Sequence, residues 1–426
     1  MTVSISAGSV TALFCAFLLA STLVSFWLTG RQIRHVASHR DRVPAPFADR
    51  IGLDAHRKAA DYTIAKARFS MLAEAFSAVL LLGWTLLGGL DALNATVRDA
   101  LLPRWGELGY QLALFAAFGL ISSLLDLPLD WWRTFRLEQR HGFNRTTPGL
   151  WLSDHVKGLL LSAAIGLPLL AAVLWVMGAS GGWWWLWAWC LWTGFVLLMQ
   201  LVYPVWIAPL FNQFKPLEDA GLVERVQALM QRCGFQSKGF FVMDGSRRSA
   251  HGNAYFGGMG KSKRVVFYDT LLARLNTDEI EAVLAHELGH FHHRHIPQRM
   301  AMVFGLSLLG LAMLGWLAGQ SGFYAGLGVA PNLAAPNDAL ALLLFLLVSP
   351  SFTFFISPLV AGHSRRAEFE ADAYACAQTS SRELSSALLK LYEDNASTLT
   401  PDPVYVRFHY SHPPAAERLA AMKAAV

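Results

Sequence analysis

Charge is scarce in this sequence. Asp, Glu, Lys and Arg make up 15% of its 426 residues, while 54% are hydrophobic and 12% aromatic. A chain of this length with so few charges does not read as two or three soluble domains; it reads as a polytopic membrane protein. Cysteine is scarcer still. Cys15, Cys190, Cys233 and Cys376 are scattered and form no C-x-x-C pair, which leaves no disulfide framework and suits catalytic parts in a reducing compartment. Repeats, low-complexity tracts and a glycine-rich phosphate loop are absent as well. The net charge of +5 is modest, and its distribution follows a membrane, with no nucleic-acid footprint.

What is present is apolar and comes in long runs. Seven stretches approach the roughly 20 residues that cross a bilayer: 8–29, 69–91, 108–126, 157–177, 183–206, 300–319 and 338–360. The first lacks a basic segment before it and runs too long before Arg31, so it reads as a span and not as a signal peptide. The 30–67 connection carries Arg31, Arg34, Arg40, Arg42, Arg50, Arg57, Lys58 and Lys66, and 127–156 carries Arg133, Arg136, Arg140 and Arg145. Connections 178–182 and 320–337 hold no Lys or Arg. The positive-inside rule then puts the N-terminus outside and the C-terminal tail in the cytoplasm. The expected layout is five spans within 1–206, a cytoplasmic catalytic segment at 207–299, two spans within 300–360, and a cytoplasmic tail from 361 to 426 that completes the site.

Within 207–299 the coarse order is helix, strand, strand, helix. Leu217 to Cys233 has helical periodicity closed by Gly234, and 239–243 and 264–268 read as short strands. Asn276 and Glu279 offer a capping box for the second helix. That helix carries His286-Glu287-Leu288-Gly289-His290, an H-E-x-x-H motif. Residues four apart share a helix face, so His286 and His290 can aim at one metal ion. Glu287 sits about 100° round the helix, where it can act on a water at the metal without being a ligand.

A catalytic zinc takes a third protein ligand and keeps one position open. A third histidine six residues after the motif is excluded, because Ile296 stands there. The helix after the seventh span offers Glu368 and Glu370, which point about 200° apart and cannot both ligate. Asp372 lies four residues after Glu368 on the same face, where it can orient a metal-bound imidazole. Glu368 is therefore the preferred ligand, with Glu370 the alternative. His292, His293 and His295 read as polar residues at a helix end, though taken alone such a cluster also suggests a metal transporter.

These residues and several ordered blocks resemble the CAAX prenyl protease type 1 family of integral-membrane zinc endopeptidases. The blocks include His141-Gly142-Phe143-Asn144-Arg145-Thr146-Thr147, Pro209-Leu210-Phe211-Asn212, Gly252-Asn253-Ala254-Tyr255-Phe256, the motif helix, Arg365 to Ala375, and His409 to Arg418. The resemblance implies a mainly α fold: seven transmembrane helices around a chamber, with a small α+β, gluzincin-like zinc-peptidase part. It implies a single Zn2+ per chain held by His286, His290 and Glu368, and Glu287 as general base. It implies His412 facing the oxyanion, Arg418 supporting the site, and Asn253 and Ala254 pairing with the substrate backbone. The implied substrate is a membrane-associated protein or peptide, prenylated in the CAAX reading; the alternative is quality-control cleavage with no prenyl requirement. Two positions depart from the family pattern, Ala367 in place of an aromatic and Glu370 in place of an amide.

Overall fold

Apolar runs that must satisfy their backbone N–H and C=O groups without water fold as helices. Among the described residues, seven helices are long and apolar enough to cross a bilayer. The computed structural model describes residues 4–236, 239–257, 264–331 and 337–424. The first five spans are built on α1 (Ala7–Ser38), α2 (Leu53–Trp84), α3 (Gly89–Trp132), α4 (Pro148–Ala179) and α5 (Trp184–Val202). Helix α6 (Ala220–Arg232), the single turn α7 (Asp269–Leu272) and α8 (Thr277–His292) follow. The sixth span is α9 (His295–Leu317). After α10 (Ser321–Gly326), α11 (Asp338–Thr353) forms the seventh and leads through one 3-10 turn into α12 (Ser357–Gln378). The tail is α13 (Ser381–Asp394), α14 (Pro403–His409) and α15 (Ala415–Ala424).

The helices outrun the apolar stretches that mark them. Helix α1 passes Arg31 and Arg34, and α2 starts inside the basic connection. No Gly or Pro interrupts 31–38 or 53–68, so nothing stops the helix where hydropathy falls. The 92–107 connection between spans is helical too. There α3 is only broken at Gly106, whose φ of 66° and ψ of −176° suit glycine alone. Beyond Trp132 the same helix widens into a π-helix over Arg133–Glu138. Packing among the spans is loose. The seventh has 39% of its apolar window buried, against 17% or less for the others, which makes α11 the post around which Phe14, Leu114, Leu174 and Leu314 gather.

The catalytic part is a four-stranded sheet covered by helices. Its strands are β1 (Phe214–Pro216), β2 (Phe240–Met243), β3 (Ala254–Gly257) and β4 (Arg264–Tyr268), in the order β1-β2-β4-β3. The central pair is parallel and both outer pairs are antiparallel. Strand β3 therefore ends the sheet, with Ala254 opposite Phe267 and one backbone edge unpaired in the sheet. Val265 and Phe267 pack with Ile280, Leu284 and Leu288 of α8, Val226 and Leu229 of α6, and Ala387 and Leu388 of α13. Phe47 and Ile51, from the connection between the first two spans, are buried in the same cluster. Burying two such side chains is worth roughly 1.5–3 kcal/mol each, so the membrane and catalytic parts are joined by a shared core.

Candidate metal centre

Helix α8 is fixed at both ends. At its start, Asn276 Oδ1 accepts from Glu279 N at 2.9 Å and Glu279 Oε2 accepts from Asn276 N at 2.9 Å, the reciprocal pair of a capping box. Glu279 also accepts from Lys390 Nζ and Ser386 Oγ, each at 2.7 Å, which ties the helix to α13. Near its end, Gly289 lies against α12 so closely that a Cβ would stand 2.8 Å from Ala371 Cα. That close approach brings Glu368 of α12 to the histidines of α8.

The three candidate ligands converge. His286 Nε2 and His290 Nε2 are 3.3 Å apart. Glu368 Oε2 is 3.5 Å from His286 Nε2, and Glu368 Oε1 is 3.4 Å from His290 Nε2. Tetrahedral bonds of about 2.0–2.1 Å put ligand atoms about 3.3–3.4 Å apart, so one small ion fits among them. Glu368 Oε2 is buried without a hydrogen-bond partner among the described residues, an arrangement that costs free energy unless a cation answers it. Burial by itself lowers the His286 pKa, but the Asp372 and Glu368 carboxylates outweigh it and carry the group up to about 9. The pocket calls for positive charge, and the donor set of two imidazoles and a carboxylate suits a metal ion.

Asp372 Oδ1 stands 2.9 Å from His286 Nδ1, yet that nitrogen has no aligned hydrogen bond. The contact is short but off the ideal N–H direction, and the Asp372 carboxylate raises the His286 pKa from this side of the ring. Its own position is set by Arg418, which donates from Nε at 2.7 Å and from Nη2 at 2.6 Å in a two-pronged pair. The third guanidinium nitrogen lies 3.7 Å from Glu368 Oε2. Arg418 thus holds both carboxylates of α12. Glu287 shares the pocket, and burial pushes its carboxyl above the ordinary carboxylate range.

His412 stands at the open side of the site. Its Nε2 is 3.3 Å from Glu368 Oε1, and its side chain is 64% exposed. Two residues that sequence reasoning did not single out hold its segment. Arg365 donates to the carbonyls of Val406 at 3.0 Å and Tyr410 at 2.7 Å. Asp402 caps α14 by accepting from Val404 N and Tyr405 N, and pairs with Arg31 of the first span at 3.0 Å. Both are charges with distant partners, which no local pattern marks.

Glu370 points away from the histidine pair. His295 Nε2 lies 2.9 Å from Glu370 Oε2, and His295 Nδ1 lies 2.9 Å from His290 Nδ1. The helical divergence of Glu368 and Glu370 thus gives each a different histidine. His292 stacks on Tyr374 with ring centroids 4.6 Å apart.

A cavity of about 170 Å³ brings Gly252, Asn253 and Ala254 together with His286, Glu287, His290, Glu368, His412 and Arg418. Leu271, Val283, Leu384, Leu388 and Leu391 give the same cavity an aliphatic lining. The Asn253 side chain folds onto its neighbour, with Oδ1 accepting from Ala254 N at 2.8 Å. An extended chain can add to the edge of β3, close to the candidate metal ligands.

Comparison with known proteins covers the same ground. A family profile described as "CAAX prenyl protease N-terminal, five membrane helices" matches residues 32–213, and one described as "Peptidase family M48" matches 216–426. The CAAX prenyl protease 1 homolog of Arabidopsis thaliana is 33% identical over 416 residues, covering 95% of this chain and 96% of the relative. CAAX prenyl protease 1 of Saccharomyces cerevisiae is 32% identical, covering 95% and 93%. The human homolog is 29% identical, covering 96% and 95%. The crystal structure of S. mikatae Ste24p matches with a TM-score of 0.90 at 31% identity, over 97% of this chain and 98% of that one. The chain belongs to the CAAX prenyl protease family and is an integral, multi-pass membrane metalloendopeptidase of family M48.

Proposed function

We propose that the metal is zinc, one ion per chain, and that the protein cleaves prenylated C-a-a-X segments on the cytoplasmic side of the membrane. The observation that carries this reading is the cavity in which a His–His–Glu cluster, a buried carboxyl and an unpaired strand edge share an aliphatic lining. His286, His290 and Glu368 would hold the ion. When bound, zinc polarises the scissile carbonyl and makes the attacking water more acidic. Glu287 takes a proton from that water and passes it to the leaving amine, a task suited to a carboxyl raised by burial. His412 Nε2 donates to the oxygen that gains charge. The β3 edge and Asn253 align the substrate backbone, and the leucine-rich wall receives an aliphatic side chain beside the scissile bond, as a C-a-a-X segment supplies. The Lys- and Arg-rich connections at 30–67 and 127–156 support a cytoplasmic site.

Two measurements test this. Glu287→Gln keeps its metal in elemental analysis and loses about 10²–10⁴ in cleavage rate; unchanged turnover in that variant refutes the assignment. Matched peptides with and without an isoprenoid then settle the substrate. Equal cleavage of both points to a membrane endopeptidase without a prenyl requirement.

A further inference from the structure

Between α2 and the C-terminal end of α3 lies a second cavity, of about 1550 Å³, that takes no part in the chemistry above. It sits at the same end of the spans as the metal centre, since the His141 ring on its wall lies 5.0 Å from the Tyr62 ring, and Tyr62 in turn stacks on His251 of the catalytic part. Its lining changes character with depth. From the turn after the π-helical segment back to the end of α3, Arg140, Arg136 and Trp132 follow one another at intervals of about one turn toward the span. On α2, Arg68 is followed by Phe69 and, one turn deeper, by Leu72.

The charges of this cavity are not balanced from within. Arg57 pairs with Asp41 at 2.8 Å, and Asp61 is taken by Arg40 at 2.7 Å. Asp54 lies 4.0 Å from Arg57. Arg68, Arg136 and Arg140 form no ion pair or side-chain hydrogen bond among the described residues. Guanidinium groups bind oxyanions of phosphate in two-pronged fashion. Three of them share the cavity with an apolar lining of Phe69, Leu72 and Phe135, at the ends of the second and third apolar runs, and Trp132 beside them is amphipathic. A soluble anion would satisfy the cations and leave the apolar lining uncovered, whereas a phospholipid meets both.

We propose that this cavity binds one anionic phospholipid, with its phosphate and acidic headgroup at Arg68, Arg136 and Arg140 and an acyl chain along Phe69, Leu72 and Trp132. Basic pockets between spans take such headgroups in this way. The site is independent of the peptidase reaction.

The test uses the full-length protein in phosphatidylcholine vesicles with a minor fraction of phosphatidylglycerol, followed by native mass spectrometry of retained lipid. The expected result is one tightly held phosphatidylglycerol on the wild type. Each arginine contributes about fivefold in affinity, so Arg136→Gln binds about fivefold more weakly and Arg68→Gln/Arg136→Gln/Arg140→Gln on the order of 100-fold. The pair Arg42→Gln/Arg50→Gln, from the basic connection at 30–67 but outside the cavity, leaves retention unchanged. Wild-type retention in the triple variant overturns the proposal. So does an equal loss in the control pair, which signals diffuse surface attraction, or displacement of the lipid by inorganic phosphate at comparable concentration, which reassigns the cavity to a soluble anion.

Discussion

At the scale of the residue, the most specific feature is the chain of contacts behind His290. A histidine that ligates through Nε2 carries its proton on Nδ1, and that N–H faces His295 Nδ1 at 2.9 Å. His295 must then accept there and keep its proton on Nε2, which donates to Glu370 Oε2 at 2.9 Å. The hydrogen bonds run in a single sense, so Glu370 fixes the tautomer of His295 and His295 fixes the ring of His290. We predict that His295→Phe weakens metal binding about 10- to 100-fold, the usual cost of losing such a partner. Glu370→Gln keeps an acceptor for His295 and changes affinity far less. Competition with a chromophoric chelator on the purified protein measures both, and equal affinity in wild type and His295→Phe refutes the relay. Glu370 is the position where this chain departs from its family's amide, and the structure gives that departure a partner.

At the scale of the element, the meeting of α8 and α12 decides whether the site exists. A Cβ at Gly289 would come within 2.8 Å of Ala371 Cα, 3.0 Å of Ala371 O and 3.2 Å of Tyr374 Cβ. Two of these are backbone atoms, which yield only if a helix moves. Gly289→Ala is therefore expected to cost about 1–3 kcal/mol by overpacking and to withdraw Glu368 from the histidines. Gly305→Ala, where nothing lies within 4 Å, serves as the control; thermal melting with and without a chelator separates them. If Gly289→Ala melts like wild type and keeps its metal, the close approach is not what assembles the site. Much of this architecture was legible in the sequence. Hydropathy marked all seven spans, the capping box marked the start of α8, and helical phase separated Glu368 from Glu370. Hydropathy could not mark the ends of α1 and α2, because a helix continues into polar residues where no Gly or Pro stops it, nor those of α3, which runs on through Pro103 and Pro128. Strands β1 and β3 span three and four residues, carry no apolar run like those of β2 and β4, and exist because β2 and β4 give them an edge to pair with. Arg365 and Asp402 escaped notice for a related reason: their partners are tens to hundreds of residues away.

At the scale of the molecule, the membrane spans and the edge strand β3 are tied by one polar cluster. Tyr62 of α2 donates to Glu138 at 2.8 and 2.9 Å, at the end of the π-helical segment of the third span. Glu138 Oε2 lies 3.9 Å from His251 Nε2, and the His251 ring stacks on Phe143 with centroids 4.4 Å apart at 14°. On its other side His251 Nδ1 meets Asn395 Oδ1 at 3.1 Å, and the same oxygen accepts from Gly252 N at 3.2 Å. Asn253 and the edge strand β3 come next in the chain. Two spans, the loop at 141–143, the strand approach and the end of α13 thus converge on His251, far from the metal ligands in sequence. Tyr62→Phe removes the hydroxyl and leaves a half-buried carboxylate short of a donor, a loss worth about 1–3 kcal/mol. We expect that loss to appear as a severalfold higher KM for a fluorogenic peptide, because β3, the strand proposed to align substrate, loses its support. kcat and bound metal should stay near wild type, since among the described residues no member of this cluster bonds directly to α8 or α12. A variant that loses metal, or whose defect lies in kcat alone, contradicts a coupling that runs through β3.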